Sequence, residues 1–183
     1  MNIVVLLAAG ESKRTTIMKQ LYKIDGEYLI NVQIRTLLSY GYEVAVVLGH
    51  HYEQIAAILE KDNISIVHNR DYKQGMFSSV KTAFKMLNAE RLIFCHIDRP
   101  IADKKIFESL LENKSEIAVA FFNNKKAPPI MIQSSMKTQL LDSSQHRLDH
   151  WIDSTKKVSY INVDDPKIHF NANTDEELGR YFG

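Results

Sequence analysis

Short apolar segments alternate with segments of helical periodicity along the first 122 residues of the chain. The apolar segments are rich in β-branched residues and hydrophobic on both faces, as strands covered on both sides must be. They are residues 2–8, 43–49, 64–68, 91–97 and 116–122. The intervening segments place apolar residues three and four positions apart, as amphipathic helices do, at 28–41, 51–62, 76–89 and 103–114. This alternation predicts an α/β layer fold with a mainly parallel sheet.

The pattern changes after Pro128. Two further strands are predicted at 129–133 and 158–163, two short helices at 135–143 and 147–155, and a final helix at 174–182. No internal repeat, low-complexity tract or linker interrupts the 183 residues, so we expect one domain spanning 1–183.

The amino-acid composition limits the classes of binding partner and the compartment that we expect for this protein. With 23 basic and 22 acidic residues the net charge is +1, which favours neither a nucleic acid nor a membrane surface as partner. The lone cysteine, Cys95, lies in an apolar run and has no disulfide partner, as is usual in a reducing compartment. No apolar run reaches membrane-spanning length and the N-terminus lacks signal-peptide features, so we expect a cytoplasmic protein. His50, His51 and His96 lack zinc-site spacing and are predicted to be structural or solvated. His146 and His150, four residues apart on a predicted helix, are interpreted as acceptor contacts or surface histidines and not as metal ligands.

The first strand runs into the segment LLAAGESKRTTIMKQL, residues 6–21. Ligands of open parallel sheets bind beyond the carboxyl ends of the strands, which is where this loop begins. Small residues up to Gly10 allow close approach of the backbone to a ligand, and Arg14 and Lys19 can neutralise a polyphosphate. The segment matches neither the P-loop nor the G-x-G-x-x-G pattern. It is therefore either a phosphate site of another kind or a solvated turn.

Two other loops begin at the same predicted edge. Ser78 and Ser79 stand at the start of a helix, where they can hold a base or sugar or simply cap the helix. Asp98, in HIDRP, follows the fourth strand and suits either a turn or a Mg²⁺ ion held through one carboxylate and substrate phosphates.

Four segments together resemble one family. LLAAGESKRTTIMKQL, YKQGMFSSVKTAF, HIDRP and VDDPKIHFNANTDEEL are similar, in the same order, to the motifs of MobA-like nucleotidyltransferases, and of their molybdenum cofactor cytidylyltransferase branch in particular. The resemblance implies a Rossmann-like three-layer αβα sandwich with a mainly parallel mixed sheet. It implies nucleotide binding by Leu7, Ala8, Ala9, Gly10, Ser12, Arg14, Lys19, Asn69, Ser78 and Ser79. It also implies catalytic roles for Arg14, Lys19 and Asp98, with Mg²⁺ bound at Asp98 and Asn173.

The chain departs from the family pattern at three places. Thr15 and Thr16 replace Met-Gly, which predicts a differently shaped phosphate loop because a β-branched residue resists positive φ. Pro128 stands where the family has a histidine near the acceptor. Asn171 and Asn173 stand where the cytidylyltransferase branch mostly has aspartates, although the capping box at the start of the final helix is intact.

The reaction implied is transfer of a nucleoside monophosphate from an NTP to a phosphorylated acceptor such as molybdopterin, with release of pyrophosphate. Ala9 gives the LAAG of cytidylyltransferases, which favours CTP. Two alternatives stay open: a nucleotide-binding accessory or sensing module without turnover, and a sugar-phosphate nucleotidyltransferase. Nothing in the sequence indicates an oligomeric state.

Overall fold

A seven-stranded sheet forms the centre of the computed structural model, which describes residues 1–183. Its strands lie in the order β5-β4-β1-β6-β8-β7-β9. Their bounds are β1 Asn2–Ala8, β4 Glu43–Leu48, β5 Ile64–His68, β6 Arg91–His96, β7 Ile117–Phe122, β8 Lys125–Gln133 and β9 Val158–Asn162. A separate two-stranded hairpin consists of β2 (Lys23–Ile24) and β3 (Glu27–Tyr28).

Seven α-helices and four short 3₁₀ turns connect the strands. The helices are α1 Leu29–Ser39, α2 Tyr52–Ile58, α3 Met76–Met86, α4 Lys104–Glu112, α5 Lys137–Leu141, α6 Leu148–Ser154 and α7 Asp175–Phe182. The 3₁₀ turns are Lys19–Leu21, Tyr72–Gln74, Ser134–Met136 and Pro166–His169.

Side-chain alternation along the strands divides the core into two halves. Val5 and its neighbours on one face pack against α3, α5 and α6, whereas Val4 and its neighbours on the other face pack against α1, α2, α4 and α7. The predicted three-layer αβα sandwich is therefore confirmed.

The sheet is mainly parallel, as predicted. Only β8 runs antiparallel to its neighbours β6 and β7. It is also longer than the predicted strand at 129–133, because the polar, proline-containing segment before residue 129 pairs with β7 although its sequence is typical of a turn. The predicted helix at 51–62 ends at Ile58, where the Asn31 amide nitrogen donates to the Ile58 carbonyl at 2.9 Å and holds the chain on α1.

The strand order brings the predicted loops together. β1 lies between β4 and β6. Its residue Leu7 pairs with Val47 of β4 on one side and with His96 of β6 on the other. The Ile97 amide donates to the Leu7 carbonyl at 3.1 Å, so the chain leading to Asp98 leaves the sheet beside the loop after β1. No helix is both long enough and apolar enough to cross a membrane.

Candidate active site

The loop after β1 is held by side chains of the 3₁₀ turn that ends it. The Gln20 side chain is 1% exposed, and its Nε2 atom donates to the backbone carbonyls of Ala8 at 2.6 Å and Gly10 at 3.3 Å. The Lys19 amide donates to the Ser12 hydroxyl at 3.1 Å, and Ser12 has a φ of 52°. The loop is thus folded back on itself and fixed against the strand end.

Two glycines lie at this loop, Gly10 within it and Gly49 beside it after β4, and the structure places different demands on them. A Cβ on Gly49 would lie 2.6 Å from the Tyr72 Cβ and 2.9 Å from the Ala9 carbonyl oxygen, so close packing requires glycine there. A Cβ on Gly10 would meet nothing within 4 Å, and Gly10 is not among the positive-φ residues. The fold therefore does not require glycine at position 10, although it leaves space above it.

That space is a cavity of about 320 Å³, here called the loop cavity. Its lining comprises Leu7, Ala9, Gly10, Glu11, Ser12, Lys19, Gln20, Tyr72, Lys73, Gly75, Met76, Ser79, His96, Ile97 and Asp98. It opens beyond the carboxyl ends of β1 and β6, the edge at which ligands of parallel sheets bind.

Lys19 and Asp98 meet in this cavity although they are 79 residues apart in the sequence. The Lys19 ammonium lies 3.3 Å from Asp98 Oδ2, with side chains 10% and 25% exposed. Asp98 Oδ1 is buried and accepts no hydrogen bond from the protein. The pair therefore combines a positive charge with one carboxylate oxygen free to bind a ligand.

Arg14 and Asn173 are joined outside the loop cavity. Arg14 Nη2 donates to Asn173 Oδ1 at 2.5 Å, and the Thr16 amide donates to both carboxylate oxygens of Asp175 at 3.1 Å. Thr16 is not among the positive-φ residues, and its amide ties this part of the loop to Asp175 at the start of α7. These bonds fasten the tip of the loop to the C-terminal segment.

Asn69, Ser78 and Ser79 bond to one another. The Asn69 amide nitrogen donates to the Ser78 hydroxyl at 2.8 Å and to the Ser79 hydroxyl at 2.9 Å. Asn69 is fully buried, and the Ser78 hydroxyl donates to backbone carbonyls at positions 71 and 75. This cluster ties the segment after β5 to the start of α3, and Ser79 alone of the three lines the cavity.

The predicted site residues fall into two groups. Those lining the loop cavity are Leu7, Ala9, Gly10, Ser12, Lys19, Ser79 and Asp98. Those outside its lining are Ala8, Arg14, Asn69, Ser78 and Asn173. Ala8 is buried in β1 and contributes its carbonyl to Gln20.

Eight of the fifteen lining residues are not among the predicted site residues, and Lys73, Tyr72 and His96 are three of them. Lys73 is exposed, lines the cavity and forms no salt bridge, so it is a cation free to meet a phosphate. Tyr72 lines the same wall, and its hydroxyl lies 3.2 Å from His50 Nδ1. The cation in YKQGM was the available signal for Lys73, whereas His96 carried none beyond its place near a strand end.

A second cavity of about 480 Å³, here called the apolar cavity, adjoins the first and shares Gly75, Met76 and His96 with it. Its remaining lining is Phe77, Val119, Lys126, Ala127, Pro128, Ile130, His146, Arg147, Leu148, Asp149 and Ile152. Both of its fixed cations are paired: Lys126 with Asp153, and Arg147 with Asp149 at 2.8 Å. The Arg147 guanidinium lowers the pKa of Asp149 to about 2.

His96 stands at the junction of the two cavities. Burial lowers its pKa to about 4, against a smaller raising effect of the Asp98 charge, so the imidazole is neutral near pH 7. Its Nε2 atom is buried and has no hydrogen-bond partner in the protein.

The largest cavity, about 570 Å³, lies elsewhere, between the loop after β6 and the segment after β9. It shares no lining residue with the loop cavity and contains none of the predicted site residues.

Comparison with known proteins identifies the same family as the four sequence motifs do. The model of the MobA-like NTP transferase domain matches residues 4–158. The chain belongs to this family. It is 24% identical over 139 residues to the molybdenum cofactor cytidylyltransferase of Escherichia coli K12, covering 75% of this chain and 72% of that protein.

Solved structures share the fold across almost the whole chain. A nucleotidyl transferase from Methanothermobacter thermautotrophicus aligns with a TM-score of 0.85 at 15% identity, covering 100% of this chain and 96% of that one. A manganese complex of Rv0371c from Mycobacterium tuberculosis H37Rv aligns with a TM-score of 0.80 at 17% identity, covering 99% and 97%. The predicted membership of the MobA-like family and the predicted fold are thus confirmed.

Proposed function

We propose that this MobA-like protein transfers CMP from CTP to the phosphate of a phosphorylated small molecule, with molybdopterin as the first candidate acceptor, and releases pyrophosphate. One observation carries the proposal. Lys19, Asp98 and the open space above Gly10 converge on one cavity at the carboxyl edge of the sheet, although the sequence separates them widely. Membership of the NTP transferase family and the similarity to the E. coli cytidylyltransferase support it.

In the proposed reaction an oxygen of the acceptor phosphate attacks the α-phosphorus of CTP in line. The bond between the α-phosphorus and the α,β-bridging oxygen breaks, and its electron pair leaves with pyrophosphate. No covalent protein intermediate is needed, so the protein acts by positioning and charge neutralisation. Lys19 neutralises charge on the triphosphate, and exposed Lys73, which also lines the loop cavity, can do the same.

The residues fit a divalent cation delivered with the nucleotide. Asp98 offers one buried carboxylate oxygen without a partner, and Asn171 offers a buried amide oxygen that is also free. The amide of Ala172, between Asn171 and Asn173, donates to the Asp98 carbonyl at 2.8 Å, so both segments lie together. No group of three or more acidic, histidine or cysteine side chains forms a dedicated cage, which suits Mg²⁺ held by one carboxylate and substrate phosphates. When bound, the ion would withdraw charge from the reacting phosphates.

CTP is the proposed nucleotide because Ala9 reproduces the LAAG of cytidylyltransferases. Ala9 lines the loop cavity and is packed beneath Gly49, so its methyl group helps to shape the wall beside a base. Ser79 is the proposed polar contact to base or sugar, with Asn69 and Ser78 holding it in place.

A nucleotide-binding module without turnover is the second candidate. One observation favours it: Arg14 and Asn173 form a hydrogen bond with each other, and neither residue lines the loop cavity. In that case the fold would retain nucleotide affinity while one proposed phosphate contact and one proposed metal contact were withdrawn.

A thermal-shift panel of CTP, GTP, ATP and UTP with Mg²⁺ tests the first step. A ligand at about 100 times its dissociation constant stabilises the native state by about 2.7 kcal/mol, which raises the melting temperature of a chain of this size by roughly 5 to 11 °C. We expect the largest shift with CTP; equal shifts with CTP and GTP would remove the base assignment. Pyrophosphate release on adding molybdopterin then separates the enzyme from the binding module.

A further inference from the structure

The junction between the loop cavity and the apolar cavity is formed by Gly75, Met76 and His96. If CTP occupies the loop cavity, a second substrate in the adjoining apolar cavity would meet the nucleotide at this junction. His96 is the one side chain there with nitrogen atoms able to form strong hydrogen bonds, because glycine offers no side chain and methionine only a thioether.

His96 has no structural hydrogen bond that would explain its presence. Its Nε2 atom is buried without a protein partner, whereas most buried side-chain polar atoms in folded proteins are bonded. By contrast, the buried Asn69 side chain donates two hydrogen bonds within the fold, to Ser78 and Ser79, and its Oδ1 accepts one from the Asp71 amide. Val119 and Ile130 line the same cavity, so packing alone does not call for an imidazole at this position.

Among the polar side chains that line the apolar cavity, His96 is the one with a buried nitrogen that has no hydrogen-bond partner. Lys126 and Arg147 are already paired with carboxylates, and His146 is exposed on the rim. His96 ends β6 two residues after Phe94, the last β6 residue that pairs with β8, and both His96 and Pro128 line the apolar cavity. The imidazole therefore lies at the end of β6, where the apolar cavity adjoins the loop cavity that we assign to CTP.

We propose that His96 is an acceptor-binding residue, whose imidazole hydrogen-bonds the phosphorylated acceptor at the junction and holds its phosphate toward the loop cavity. The inference rests on the proposed function and assigns the apolar cavity to the acceptor's body. It makes His96 a determinant of acceptor affinity and not of nucleotide affinity.

A buried water molecule is the competing partner. A void of about 10 Å³ adjoins His96 and Arg99, and Arg99 Nε is likewise buried without a partner. This volume is about that of one water-sized probe, so a water could bridge the two nitrogens. Under that explanation the imidazole contributes to folding stability and leaves acceptor affinity unaffected.

The test compares His96→Phe, which keeps a flat ring of similar size, with His96→Gln, which keeps a hydrogen-bonding group. His150→Phe, the same change at an exposed position outside both cavities, is the matched control. Each folded variant is titrated with molybdopterin and with phenyl phosphate at saturating Mg²⁺ and a non-hydrolysable CTP analogue, and the affinity for the analogue is measured separately. Molybdopterin turnover gives KM for each substrate.

We expect His96→Phe to weaken acceptor binding and raise the acceptor KM about tenfold, the usual effect of one lost hydrogen bond, with the CTP KM and analogue affinity within twofold of wild type. His96→Gln should recover part of the loss, and His150→Phe should match wild type. If His96→Phe does not fold, an unchanged acceptor KM in His96→Asn, where the shorter side chain withdraws from the junction, overturns the proposal.

Unchanged acceptor affinity in His96→Phe, or equal losses for acceptor and nucleotide, would also overturn it. So would failure of wild type to bind either phosphate ester while it binds the CTP analogue, although the proposed nucleotide site would stand. Absence of any nucleotide binding would instead refute the proposed function itself.

Discussion

Gly10→Ala separates what the fold needs from what a nucleotide needs. The added methyl group would meet no atom within 4 Å, and the backbone at Gly10 is not in the positive-φ region. A Gly→Ala change at such a position stabilises a protein by about 0.4 to 1 kcal/mol, because the unfolded chain loses conformational freedom. For a chain of 183 residues this raises the melting temperature by roughly 1 to 4 °C.

The same methyl group projects into the space that we assign to CTP. Inserting a methyl group where two surfaces must pack closely costs about 1 to 3 kcal/mol, which corresponds to a loss of affinity of roughly 5- to 150-fold. Differential scanning fluorimetry measures the stability and isothermal titration calorimetry measures CTP affinity in the presence of Mg²⁺.

Gly49→Ala is the matched control, with the same chemical change one strand away. Its Cβ would lie 2.6 Å from the Tyr72 Cβ and 2.9 Å from the Ala9 carbonyl oxygen, so we expect it to destabilise the fold by about 1 to 3 kcal/mol. The reasoning is refuted if Gly10→Ala binds CTP as tightly as wild type does, or if it destabilises the fold as much as Gly49→Ala.

Three further changes test the site around this loop. Lys19→Met should weaken CTP binding by about 1.5 to 3 kcal/mol and leave cytidine binding unchanged, because a charge-assisted contact to phosphate is lost; equal effects on the two ligands in calorimetry would contradict the assignment. Asn173→Asp should retain activity and tighten Mg²⁺ binding without nucleotide, because it adds a carboxylate; an unchanged Mg²⁺ titration would remove position 173 from the metal site. Hydrogen bonds from the Asn173 and Thr174 amides lower the pKa of the Glu177 carboxyl below its ordinary value of 4.5. The ionised carboxylate therefore stabilises the fold above pH 4.5, and this stabilisation is lost as the pH falls through the lower pKa of the folded state. Glu177→Gln should therefore flatten the acid limb of a thermal unfolding series between about pH 2 and 6, and an identical limb would show that the capping box contributes no such dependence.

The fold, and the predicted site residues that line the loop cavity, follow from sequence patterns. This is because neighbouring parallel strands end at the same edge of the sheet, where the loops that follow them meet. Apolar runs located β1 and β6, and their adjacency then put Lys19 and Asp98 in one cavity. The antiparallel β8 was predicted too short, since the lysines and prolines at its start are typical of a turn and pair only because β7 is alongside.

Contacts between side chains far apart in the sequence could not be predicted. The bond from Arg14 to Asn173 joins residues separated by 159 positions, and it depends on how α7 returns to the first loop. The Asn69 cluster was missed for a similar reason, because serines at a helix start have the same sequence pattern whether they face a ligand or a buried amide. Lys73 and His96 are assigned to the site by the cavity lining, because a single lysine or histidine in the sequence does not show which cavity it lines.

The most direct test of the proposed transfer follows the α-phosphorus of CTP. With CTP labelled at that atom, Mg²⁺ and molybdopterin, we expect wild type to move the label to the acceptor and to release one pyrophosphate per label transferred. Asp98→Ala, measured at saturating Mg²⁺ and CTP after its folding has been verified, should abolish both products, and Asp98→Asn should be severely impaired. Undiminished transfer by Asp98→Ala would remove Asp98 from the mechanism and contradict the reading of the loop cavity as the active site of a nucleotidyltransferase.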